Sequence, residues 1–157
     1  MDVAALILWI LTAAGGSVLL RTWVVNGGAR RTGAGSRFPV PLIFGHFVLA
    51  AVGLVLWIVY VADDKDGIGW TAFVLLALVA LLGFTMFARW LPTYQSTRNA
   101  ARVPAGATTS SAAAGSTTPL AGAAERHFPV PIVIGHGVLA AATLVLVLLT
   151  LIGVGGS

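Results

Sequence analysis

"FPVPLIFGHFVLAAVGLVLWIVYVA", residues 38–62, runs for 25 positions without a charged side chain and carries a histidine eight positions after its first residue. A helix of about 20 apolar residues crosses the hydrocarbon of a bilayer. A lipid-facing barrel strand would alternate apolar and polar residues, and this stretch does not. It reads as a transmembrane helix entered through Pro39 and Pro41, which suit a first turn because no backbone N–H is needed there. Three further stretches, 3–25, 68–91 and 128–154, have the same character. The whole chain of 157 residues is 58% hydrophobic and 9% charged, with a mean hydropathy of +0.96. Such a composition marks an integral membrane protein and excludes a soluble domain. The fold class expected is therefore all-α, with four membrane-spanning helices. The first stretch reads as an anchor, since Asp2 rather than a basic run precedes it.

The loops orient these spans. Arg21, Arg30, Arg31 and Arg37 lie at or between the first two, and Arg89, Arg98, Arg102 and Arg126 lie at or between the last two. The short loop "ADDKDG" (62–67) is net acidic. The positive-inside rule places both arginine-rich loops in the cytoplasm and both termini outside, as in a multi-pass plasma-membrane protein. The net charge of +4 is thereby explained by topology, and no nucleic-acid partner is expected. Trp23 and Trp90 are expected at the inner interface, and Trp57, Tyr60 and Trp70 at the outer one. Residues 99–125 are Ala, Gly, Ser, Thr and Pro with almost no large apolar side chain, the composition of a flexible linker.

The quoted stretch returns as "FPVPIVIGHGVLAAATLVLVLLTLI", residues 128–152, and 13 of the 25 positions agree. Leu, Val and Ala coincide easily in membrane helices, but the two prolines, the glycine and the histidine carry more weight. Upstream, "GSVLLRTW" (16–23) and "GFTMFARW" (83–90) share Gly, an apolar middle and Trp. The chain thus reads as a duplicated two-helix hairpin. Residues 1–62 form the first copy, 63–67 a short outer loop, and 68–154 the second copy with the linker inserted. A two-helix unit returns to its starting side, so the copies are parallel and His46 and His136 are expected at equal depth in a four-helix bundle.

Two histidines inside the bilayer are the candidate site. Gly45 and Gly135 beside them leave bare backbone that a helix or a flat ligand can approach. Arg37 and Arg126 stand at the helix entries, where guanidinium can pair with carboxylate. Imidazole is an ordinary axial ligand of haem iron, and helical bundles hold cofactors between facing helices. The alternative is an imidazole pair that only packs across helices, worth about 1 kcal/mol or less. No Asp or Glu lies within the spans, which argues against a carboxylate-driven exporter. No catalytic triad, phosphate loop or metal-binding carboxylate cluster is present, and the absence of cysteine excludes thiolate metal centres.

The stretches "GHFVLAAVGLVLWIVYV", "LLGFTMFARWLP" and "HFPVPIVIGHGVLAAATLVLVLL" resemble a group of small, uncharacterised four-span membrane proteins of high-GC Gram-positive bacteria. The resemblance covers the four helices but not the linker, and it implies a plasma-membrane protein without supplying an activity. Two functions fit these features. The first is a non-enzymatic accessory or scaffold subunit of a larger membrane complex or homo-oligomer, with no cofactor. The second is a b-type haem electron-transfer protein with His46 and His136 as axial ligands.

Overall fold

A computed structural model describes residues 1–29, 36, 38–102 and 124–154. Helix α1 spans Asp2–Val25, α2 Val40–Asp63, α3 Asp66–Arg102 and α4 Val130–Leu151, with a 3-10 turn at Ala124–His127 before α4. All four helices are long and apolar enough to cross a membrane.

The local sequence explains where each begins and stops. Pro39 and Pro129 occupy the N-cap positions of α2 and α4, and a second proline follows in each first turn. Helix α1 stops at Asn26–Gly27, where Gly27 takes φ 83° and the Gly28 N–H reaches the Trp23 carbonyl at 2.9 Å. That turn folds back so closely that a Cβ at Gly28 would collide with the Trp23 indole. Helix α2 ends at Asp64 in the left-handed region (φ 52°), its N–H bonded to the Tyr60 carbonyl at 2.8 Å.

The apolar stretch of α3 ends near Leu91, but the helix continues through Pro92 to Arg102. Proline removes one backbone donor there, yet Gln95, Arg98 and Ala100 beyond it favour helix. Both ends of the segment expected to be linker are therefore structured. Residues 99–102 are helical, and Ala124 and Glu125 are buried in the 3-10 turn. Residues 103–123 lie outside the described part of the chain.

The helices form a ring in the order α1, α2, α3, α4, but the closest pairs are α1 with α4 and α2 with α3. Each sequence-adjacent pair α1–α2 and α3–α4 packs more loosely, and the backbones of the diagonal pairs stay apart, α2 and α4 meeting only through side chains. The tight contacts thus run between the two hairpins read from the sequence. Two apolar clusters fill the ring. Toward the acidic loop lie Ala5, Trp9, Trp57, Tyr60, Ala72, Leu76 and Val147; toward the arginine-rich loops lie Trp23, Phe38, Ile43, Trp90 and Ala124. The bundle thus has an acidic end and a basic end.

The aromatic assignment needs correction. Trp23, Trp57, Trp90 and Tyr60 are buried in the bundle and do not stand in a belt facing lipid, whereas Trp70 is exposed as expected. Their rings find partners inside: Trp57 stands 6.5 Å from Trp9 and 4.8 Å from Tyr60, and its indole N–H reaches the Asp2 carbonyl at 3.3 Å. A four-helix ring with so many small residues needs large side chains to fill its middle. The outward faces carry exposed Val55, Leu81, Phe84 and Val138, suited to lipid tails.

Candidate functional site

His46 and His136 each lie six residues into their helix, about 9 Å from its start. They project from the diagonal helices α2 and α4 toward one another across the ring. Their imidazole centroids are 6.4 Å apart, with the planes inclined at 59°. Eight residues toward the basic end, Phe38 and Phe128 repeat this meeting as a stacked pair at 6.2 Å.

Each imidazole rests on a glycine of the helix its own helix packs against. A Cβ on Gly16 of α1 would stand 2.9 Å from His136 Cε1, and one on Gly83 of α3 would stand 3.2 Å from His46 Cε1. The bare turn at Gly16 also lets His136 reach backbone: its Nδ1 lies 2.9 Å from the Thr12 carbonyl oxygen. A carbonyl only accepts, so Nδ1 carries the proton in that bond, and in the neutral ring the lone pair is on Nε2. On the other side the Val79 carbonyl lies near the His46 ring. Even so, His46 Nδ1 is buried and has no hydrogen-bond partner among the described residues. A buried polar atom left so costs about 1–3 kcal/mol.

The two half-sites correspond number for number. Adding 67 carries Thr12 to Val79 and Gly16 to Gly83, and adding 90 carries His46 to His136. The surrounding core follows: Ala5 and Ala72 are both buried, as are Trp23 and Trp90.

Of the residues singled out from sequence, the structure brings His46 and His136 together but not Gly45 and Gly135. A Cβ on either of those glycines would meet nothing within 4 Å, because they sit about 100° around the helix from the histidines. The facing glycines are Gly16 and Gly83, which sequence comparison aligned without assigning them to the site. Arg126 is exposed, and its Nε–H reaches the Thr97 hydroxyl on α3 at 3.4 Å. Arg37 lies outside the described residues. A residue that sequence reading placed in the linker, Glu125, is instead almost wholly buried at the basic end. Its Oε1 accepts from the Ser36 hydroxyl at 2.8 Å and the Phe38 N–H at 3.2 Å, while Ser36 Oγ accepts from the Trp23 indole N–H at 2.8 Å. This network ties the chain entering α4 to α1 and to the start of α2.

The difference between the histidines makes a prediction. Ala at Gly16 must displace a ring held by its bond to Thr12, and overpacking of that kind costs about 1–3 kcal/mol. Ala at Gly83 meets a ring with a looser hold and gains roughly 0.5–1 kcal/mol of helix preference over glycine, so the change is expected to be near neutral. Unfolding of Gly16→Ala and Gly83→Ala in detergent checks this; equal losses would mean that the two rings are held alike.

Among the described residues, no group of three or more His, Cys, Asp or Glu gathers to hold a metal by side chains alone. The arrangement can offer two imidazole nitrogens from opposite sides, in an apolar surround, to one acceptor. No protein-family model, curated protein or solved structure matches this chain.

Proposed function

We propose that the chain is a plasma-membrane electron-transfer protein that holds a b-type haem between His46 and His136. The observation that carries this reading is the facing imidazole pair with a 6.4 Å centroid separation. Metal–imidazole nitrogen bonds are about 2 Å long, which puts two imidazoles on opposite sides of one metal roughly 6 Å apart, centroid to centroid. The protein groups fit the cofactor in two further respects. Ligating histidines ordinarily donate their other N–H to a carbonyl, as His136 does to Thr12. Gly16 and Gly83 leave room for the two rings themselves, which a side chain at either position would crowd. Haem supplies one-electron chemistry when bound, and the apolar helices around the pair keep water away from it. Of the two arginines read from the sequence as partners for its propionates, Arg126 is exposed and bonded to Thr97, and Arg37 lies outside the described residues.

One observation favours the second reading, an accessory or scaffold subunit of a larger membrane complex or homo-oligomer in which the histidines only pack. The His136–Thr12 bond satisfies one ring without any ligand. An absorption spectrum of protein purified from haem-replete cells separates the two. A low-spin spectrum with one haem per chain is expected; a colourless protein would leave the packing reading.

The same reading includes a duplicated hairpin, supported by the matching Gly–His–carbonyl sets, and a topology with both termini outside, supported by the arginine distribution. In the cysteine-free protein, single cysteines at Gly33 and Ala107 should resist an impermeant thiol reagent in intact cells, whereas one at Asp64 should react. Labelling of Ala107→Cys from outside would reverse the orientation.

A further inference from the structure

Where α3 runs past its apolar stretch, it stands beside the 3-10 turn that leads into α4. Between them opens a cavity of about 240 Å³. One wall is aromatic: Trp90 and Tyr94 stack at 5.0 Å, with Phe128 across from them. The other carries two cations, Arg98 and Arg126. Both are pre-positioned. Arg98 lies 5.7 Å from the centre of the Tyr94 ring, and Arg126 bonds through Nε to Thr97, a bond that does not use its terminal nitrogens.

We propose that this cavity binds the phosphate group of an anionic lipid headgroup, held between Arg98 and Arg126. Depth, shape and charge agree on that ligand. The cavity straddles the level at which both helices change character: Trp90 and Val130 belong to the apolar spans, and Thr97 and Arg98 to the polar extension of α3. That is where headgroup phosphates lie, and basic pockets between spanning helices are suited to them. Exposed Phe87 and Leu91 continue the apolar surface below, where acyl chains would run. The third charged group of the lining is Glu125, whose Oε1 is engaged by Ser36 and Phe38 on the far side. Among the described lining residues, two guanidiniums and one carboxylate leave a formal charge of one, which matches a monoanionic phosphodiester better than free phosphate. The basic patch read from the sequence as a topological signal thus gains a second use at this one place. The site depends on the chain lying in a membrane but not on the histidine pair, so a colourless protein would leave it standing.

The test uses the full chain, stripped of lipid in mild detergent and titrated with phosphatidylglycerol or phosphatidylcholine of identical acyl chains, with bound lipid counted by native mass spectrometry. Retention of one phosphatidylglycerol and no phosphatidylcholine is expected. Arg98→Gln and Arg126→Gln should each weaken binding roughly fivefold, the usual worth of one cation near an anionic headgroup. Arg102→Gln, outside the lining, should not. Arg126→Lys keeps the charge without the fork and should fall between wild type and Arg126→Gln, which keeps the test usable if a glutamine variant folds poorly. Inorganic phosphate that binds in an arginine-dependent way without any preference for phosphatidylglycerol would retain the phosphate chemistry and assign its source to solution. Equal retention of the two lipids without such phosphate binding, or phosphatidylglycerol binding unchanged in the double glutamine variant, would overturn the site.

Discussion

Replacing either His46 or His136 by alanine is expected to abolish the low-spin haem absorbance of the purified protein, not merely to weaken it. Ligation from both sides needs both imidazoles, and no third histidine can substitute, because His127 lies exposed in the 3-10 turn outside the pair. His127→Ala should therefore leave the spectrum unchanged. The two alanine variants also distinguish a ligand pair from a packing pair. If the rings only pack, His136→Ala loses its bond to Thr12 and costs about 1 kcal/mol or less. His46→Ala would then relieve a buried nitrogen without a partner among the described residues and cost less than that. Ligation instead predicts equal, complete loss of the low-spin spectrum. An unchanged spectrum in either variant would remove that histidine from the iron.

Trp57→Ala is expected to cause the largest loss of stability of any substitution in the acidic-end core, about 3–5 kcal/mol. In lipid the cost comes less from transfer of apolar surface than from contacts forfeited in a void. Trp57 is wholly buried, packs on Trp9 and Tyr60, and holds the first turn of α1 through the Asp2 carbonyl. Its removal would uncouple α1 from α2, the most loosely packed of the adjacent helix pairs. Trp70→Ala, on the exposed face of α3, should change stability by about 0.5 kcal/mol or less. Thermal unfolding followed by fluorescence-detected gel filtration compares the two; similar melting points would mean that the indole of Trp57 is not packed as described.

Much of this architecture is legible in the linear chain. Uninterrupted apolar length gives the four helices, and proline pairs mark the entries of α2 and α4 within two residues. The equal placement of His46 and His136 follows from the repeated phrase. What the sequence leaves open is which faces meet. Nearly all-round hydrophobicity gives no moment to orient a helix, so Gly45 and Gly135, adjacent to the histidines in sequence, attract attention that belongs to Gly16 and Gly83 across the ring. The tryptophans mislead for a related reason. An indole near a helix end suits an interface as well as a core, and only the gaps left by small residues on neighbouring helices decide between them. Glu125 is disguised by its company, since a run of small polar residues hides the one carboxylate that becomes buried.

The preference of α1 for α4 rather than for its neighbour in the chain has a consequence for biosynthesis. The last residue of α1 is Val25 and the first of α4 is Val130, so about 105 residues are made between the two. At roughly 5–20 residues per second, α1 waits for something on the order of 5–20 seconds before its principal partner exists. Its Gly15–Gly16 groove, which the His136 ring later occupies, is meanwhile open to lipid or to the insertion machinery. The pair α2–α3, separated only by a tight turn, can close at once and serve as the template. Assembly would then proceed from the middle of the chain outward, with arrival of the fourth helix as the step that commits the first.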